Sequence, residues 1–201
     1  MLINTFSHIP GIGPSTEKKL WDAGIRTWKD AALCPGNLGK KAPAIQRGIN
    51  TSLGHLENKN AKYFEDLLPA SQHFRLFPEF RDTCVFLDIE TTGLEATSII
   101  TTIALYDGYS TRYYVQGKNL DAFMADIQKY QVIVTYNGKT FDLPFIQKQF
   151  DCRLPHAHID LRYILKSLGF AGGLKKCERA MGIDRQDLDG VDGYFAILLW
   201  E

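Results

Sequence analysis

The stretch VFLDIETTG at residues 85–93 restricts the fold more than any other part of the chain. Its apolar residues recur with a period of two, the spacing of a strand that turns one face to a core. Val85, Leu87 and Ile89 take that face. Asp88 and Glu90 then share the other, about 7 Å apart along the backbone. Carboxylates avoid half-buried strands unless a cation or a proton offsets their charge, and hard oxygen donors suit Mg²⁺ or Mn²⁺. Thr91, Thr92 and Gly93 end the strand, which places the acidic pair at its carboxyl end, where open α/β sheets hold ligands. Taken alone, the pair is better explained as two acids facing solvent.

The text on either side of this strand differs in kind. Residues 1–75 read as a small all-α segment and residues 81–201 as an α/β domain. In the first, Gly13-Pro14 starts a helix that runs through Leu20 and Trp21 to Gly24, with proline at the first helical position and glycine just past the end. Thr27 and Asp30 have the spacing of a capping box for the next helix. A stretch rich in Pro and Gly, CPGNLGKKAP, precedes helical text from about Ala44 to Leu68, and Pro69 and Pro78 mark a linker. From Thr83 the period is two. TCVFLDIE, SIITTIALYD and STRYYVQ read as three strands, with Asp107-Gly108 as the hairpin turn between the last two. Helix and strand then alternate: LDAFMADIQKY, QVIVTYNG, DLPFIQKQF, PHAHIDL, RYILKSLGF and LKKCERAMG. Three meandering strands followed by this alternation predict a mixed β-sheet with helices on its faces.

Composition narrows the classes further. With 201 residues and 45% hydrophobic content, the chain can bury one sizeable core and a smaller one. No apolar run approaches the ~20 residues that span a bilayer, and the N-terminus lacks a signal-peptide pattern. The cysteines, Cys34, Cys84, Cys152 and Cys177, are scattered and form no C-x-x-C pair, as expected of reduced thiols in a cytoplasmic protein. Net charge is zero, but residues 1–50 hold seven Lys/Arg against three Asp/Glu, and residues 81–201 hold 13 against 16. A basic front and an acidic back suit a phosphate-gripping segment joined to a carboxylate site, and suit ordinary surface variation equally.

A second stretch, VIVTYNGKTFDLPFI, passes from a buried strand through Asn137-Gly138 into a helix that begins near Asp142. An aspartate in a first helical turn can be a simple cap. A strand–turn–helix beside the first strand would instead deliver Asp142 to the Asp88/Glu90 face. Together FLDIETTGL and YNGKTFDLPFI resemble the first and second motifs of DEDD-type 3′→5′ exonucleases in the ribonuclease H-like superfamily. The resemblance extends over roughly residues 81–201. It implies that Asp88, Glu90 and Asp142 are catalytic and hold two divalent ions, Mg²⁺ or Mn²⁺. It also implies that Thr91, Thr92, Gly93, Leu94, Asn137, Phe141 and Asp160 support or contact the substrate, a single-stranded 3′ end of DNA or RNA. A non-catalytic nucleic-acid-binding module with a partial metal site is the alternative.

The family also needs a fourth aspartate on a late helix, near a catalytic His or Tyr. No H-x-x-x-x-D or Y-x-x-x-D pattern lies near the C-terminus, so the fourth acid is expected beyond Glu201. Asp189 and Asp192 fit that role poorly, because DLDGVDG reads as a loop. His156, His158 and Asp160 alternate and could share a strand face, yet the histidines read better as hydrogen-bonded structural side chains. Lys175, Lys176 and Arg179 read as a solvated helix face. In the front segment, PGIG followed by a helix and AGI resembles a helix–hairpin–helix. That resemblance implies non-specific contact with nucleic-acid phosphates through Gly11, Gly13, Lys18 and Lys19. The alternative there is a packing hairpin with Trp21 and Trp28 in a small core.

Overall fold

Gly13 is the N-cap of the first helix, α1 (Pro14–Asp22), and Gly24, at φ +84°, turns the chain out of it. The helix α2 (Trp28–Leu33) opens with a capping box in which Thr27 Oγ1 accepts from Asp30 N and the Asp30 carboxylate accepts from Thr27 N. A 3₁₀ turn at Pro35–Lys41 leads to α3 (Ala42–Glu57), and α4 (Ala61–Leu67) follows. The helical text expected to run unbroken to Leu68 is therefore two helices. Lys59 takes φ +51°, and Asn60 caps α4 by accepting from Tyr63 N at 3.2 Å.

These elements come from a computed structural model that describes residues 1–95 and 97–184. The chain divides into two units, Met1–Arg81 and Asp82–Glu201. The stretch between Pro69 and Pro78, expected as a linker, is instead a 3₁₀ helix at Ala70–Leu76 that runs into α5 (Phe77–Phe80), and both lie in the first unit. Pro78 stands in the first turn of α5, where its missing N–H costs no hydrogen bond.

The first unit packs around Phe6, Trp28, Ile45 and Phe64, all buried. Trp28 donates its indole N–H to Thr5 O at 2.7 Å, and Trp21 donates to Asn4 O. Glu17 is buried inside this unit. Its carboxylate accepts from Thr5 Oγ1 and from the backbone N–H groups of Phe6 and Ser7, and pairs with Arg75 at 3.3 Å. A buried carboxylate needs that many donors to replace its lost hydration.

The second unit carries a five-stranded sheet in the order β3-β2-β1-β4-β5. The strands are β1 (Cys84–Thr91), β2 (Ile100–Tyr106), β3 (Thr111–Val115), β4 (Val132–Thr135) and β5 (Ala157–Asp160). The first three meander antiparallel; β4 and β5 run parallel to β1. Its α-helices among the described residues are α6 (Phe123–Ile127), α7 (Asp142–Gln149), α8 (Leu161–Ser167) and α9 (Leu174–Ala180). This is the mixed α/β architecture that the change of period predicts. Val85, Leu87 and Ile89 pack with Ile103, Phe123, Ile127, Ile133 and Ile146 in one core. Burying each such side chain favours folding by about 1.5–3 kcal/mol, so the apolar face of β1 fixes its register and commits Asp88 and Glu90 to the opposite face. Among the described residues no helix is long and apolar enough to cross a membrane.

Candidate active site

The carboxyl end of β1 lies where the sheet opens. The β1–β4 ladder ends at Phe86↔Val134, while β2 follows β1 as far as Thr91, across an irregularity between Glu90 and Thr91. Beyond Phe86 the edge of β1 that faced β4 has no strand beside it, and the chain fills this gap with Asp142. Its carboxyl accepts a hydrogen bond from the Ile89 backbone N–H. Asp142 is only 4% exposed, and it stands at the head of α7, the first residue after the N-cap Phe141.

The three acids differ in environment. Asp88 is exposed and Glu90 half-buried. Asp88 reaches solvent from within a crowded surface, and the loss of hydration there raises its pKa. Partial burial raises Glu90, and the neighbouring Asp88 charge adds to it. Asp142 is pushed up to about 7, first by burial, then by the charge of Asp88, with a smaller push from Asp160. Its own backbone N–H and that of Ile89 offset part of this. Among the described residues no Lys or Arg forms an ion pair with any of the three. The donor chemistry is that of a hard divalent cation. As they stand, no three His, Cys, Asp or Glu side chains among the described residues close around one ion position.

The turn that delivers Asp142 is held by its neighbours. Asn137 sits at φ +69°, a conformation asparagine tolerates better than most residues. Gly138 N donates to Thr135 Oγ1 at 3.0 Å, and a Cβ on Gly138 would fall 2.2 Å from that same oxygen. Only glycine fits so close to Thr135. Asp160, 5% exposed, braces the turn from β5. Its Oδ1 accepts from Asn137 N at 2.8 Å and Arg162 N at 3.0 Å, and its Oδ2 from Lys139 N at 3.1 Å. Of the two roles expected for Asp160, these bonds describe support. Arg162 donates from Nη1 to Asn137 Oδ1, a contact between residues 25 apart that no local pattern announces.

The other expected positions are scattered around this centre. Thr91 is buried and donates from Oγ1 to Gly93 O at 2.7 Å; Thr92 is tied to Ile99 by its backbone N–H and hydroxyl. Leu94 is 80% exposed, and Phe141 rests against Phe145 with ring centroids 4.9 Å apart. His156 and His158 are both buried: His156 Nε2 bonds Ile127 O, and His158 Nε2 bonds Thr135 Oγ1 at 2.9 Å. Register pairs His158 with Ile133, a residue of the core face. Asp189 and Asp192 lie outside the described residues. In the first unit, Gly11 and Gly13 are exposed, and so is Lys19. Lys18 is exposed as well but is paired with Asp22 at 2.7 Å.

No curated protein matches the chain. Among solved structures, the family B DNA polymerase from the hyperthermophilic archaeon Pyrobaculum calidifontis is similar with a TM-score of 0.47 and 16% identity, over 58% of this chain and 20% of that one. A family model described as the RNase_H superfamily matches residues 85–201.

Proposed function

The chain belongs to the RNase H superfamily, and from that premise we propose that its α/β unit is a metal-dependent 3′→5′ exonuclease of the DEDD type. The substrate class is a single-stranded 3′ end of DNA or RNA. One observation carries the reading: Asp142, from a different motif 54 positions along the chain, lies close enough to Asp88 for the Asp88 charge to raise its pKa. Carboxylates crowded together with no cation beside them mark a candidate cation site.

Asp88, Glu90 and Asp142 would hold Mg²⁺ or Mn²⁺. When bound, such ions neutralise charge on the scissile phosphate and lower the pKa of an attacking water. The remaining work belongs to the chain itself. Asp142, pushed up to about 7, is partly protonated at neutral pH and would have to release that proton to serve as a ligand. Asp160 and Thr135 hold the Asn137-Gly138 turn, and through it the angle at which Asp142 enters. Thr91, Thr92, Gly93 and Leu94, with Asn137 and Phe141, border the place where a strand end would lie. Gly11, Gly13, Lys18 and Lys19 of the first unit add phosphate contacts, with Lys18 weakened by its pairing to Asp22.

The test is a 5′-labelled single strand incubated with Mn²⁺. A ladder shortened from the 3′ end, lost in Asp88→Ala with the fold unchanged, is the expected result. Equal cleavage by Asp88→Ala would end the assignment. The open spacing of the acids favours a second reading, a binding module with a partial metal site, which predicts binding without cleavage in both proteins.

A further inference from the structure

At the carboxyl ends of β4 and β5, beside the acidic centre along the same edge of the sheet, lies a cavity of about 480 Å³. Its walls include Tyr136 and Asn137, which follow β4, Arg162 and Lys166 of α8, and Phe170 and Gly172 before α9. Arg162 and Lys166 are four apart on one helix, so both side chains reach the same side. Arg162 is aimed by its bond to Asn137 Oδ1, within the turn that positions Asp142. A third cation lies near the lining residue Gly172: a Cβ there would meet Lys176 Cδ at 2.7 Å and stand 3.5 Å from its Nζ. Glycine at φ +100° leaves room for the Lys176 chain beside that residue. Two cations and two aromatic rings lining a cavity of this size make a site for an anion attached to a flat ring. Neighbouring strands are about 5 Å apart, which puts this edge within about 10 Å of β1.

We infer that this cavity holds one unpaired nucleotide of a nucleic-acid strand, its phosphate against Arg162 and Lys166 and its base against Phe170. The inference rests on the nuclease reading for the direction of the strand, but binding tests it separately from cleavage. A nucleotide in a duplex presents no free ring face, so the pocket selects single strands. Sequence tolerance follows, because every base offers a stacking face.

The experiment measures anisotropy of a labelled oligothymidylate with the full chain in EDTA, where no hydrolysis occurs. Phe170→Leu and Lys166→Gln are each expected to weaken binding by about ten-fold, and Lys166→Gln to reduce the salt slope by about one. Lys118→Gln, an exposed cation elsewhere on the unit, is the control and should leave affinity unchanged. Retained affinity in both pocket variants, or an equal loss in Lys118→Gln, overturns the proposal. Thymidine monophosphate is the second probe. Competition by it as strong as that of the oligomer means the cavity takes free nucleotides, which also overturns the strand assignment. Pocket-dependent binding in EDTA, with no cleavage by the parent once Mn²⁺ is added, would count against the nuclease reading alone.

Discussion

Replacing Asp142 by Asn should make the metal-free protein more stable at alkaline pH, not less. The Asp142 carboxyl titrates near 7 in the folded protein against 3.8 for an ordinary aspartate, so the folded state binds the proton more tightly. Stability therefore falls as pH rises between those two values, and the cost is complete above the higher one. A difference of about three pH units is worth about 4 kcal/mol, of which roughly 3 kcal/mol develops between pH 5 and pH 8. Asparagine keeps an acceptor for the Ile89 N–H and removes the charge. Amide exchange of the β1 and β4 hydrogens, with parent and variant compared at equal pH, reads this unit alone. Near pH 5 the two should be separated far less than near pH 8, where the variant is more protected. Some slope should remain in the variant, because burial raises Asp88 and Glu90 in the same direction. Identical pH slopes in the two proteins would refute the claim that burial and the Asp88 charge raise Asp142.

Two further outcomes follow from the packing. Gly138→Ala forces a Cβ to 2.2 Å from Thr135 Oγ1, and relief of such overpacking costs about 1–3 kcal/mol; a denaturation midpoint equal to the parent's would contradict that fit. In the first unit the pH dependence has the opposite sign. His8 is lowered from 6.5 to about 4 by burial, with the Arg75 charge second, so the unfolded chain takes up a proton that the folded unit refuses. As pH falls through that window the unit should lose up to about 3 kcal/mol. Fluorescence of Trp28, 5.4 Å from the His8 ring, follows it, and a flat acid limb down to pH 4 would count against a buried neutral His8.

The strands were legible because β1 and β2 bury alternate residues, because β4 is a short apolar run buried throughout, and because the hairpin and helix-start residues carry their own chemistry. Asp107, for instance, accepts from the backbone N–H groups of Tyr109 and Ser110 at 2.9 Å, closing the β2–β3 turn. The capping box at Thr27 is equally local. What was read less well is where position matters more than type. Proline at 69 and 78 suggested a linker, but proline in a first turn starts a helix as readily as it breaks one. Asn60 carried the signal of a helix start, masked by the helical text on both sides. Within the site, Asp88, Glu90 and Asp142 stood out because acids are rare on apolar strands and follow buried ones rarely. The brace from Asp160 to Asn137 and Lys139 joins residues more than 20 apart through backbone N–H groups that every non-proline residue carries, and the side-chain contact from Arg162 to Asn137 spans a similar separation. Nothing in a linear pattern marks them.

Direct titration with Mn²⁺, followed by electron paramagnetic resonance between pH 6 and pH 8, addresses the shared acidic centre without needing a substrate. Binding should tighten as pH rises through about 7 and release a proton, because Asp142 must ionise to become a ligand. Asp88→Asn should weaken it by an order of magnitude or more. Mn²⁺ affinity that is independent of pH and unchanged in Asp88→Asn would show that these carboxylates do not share a cation.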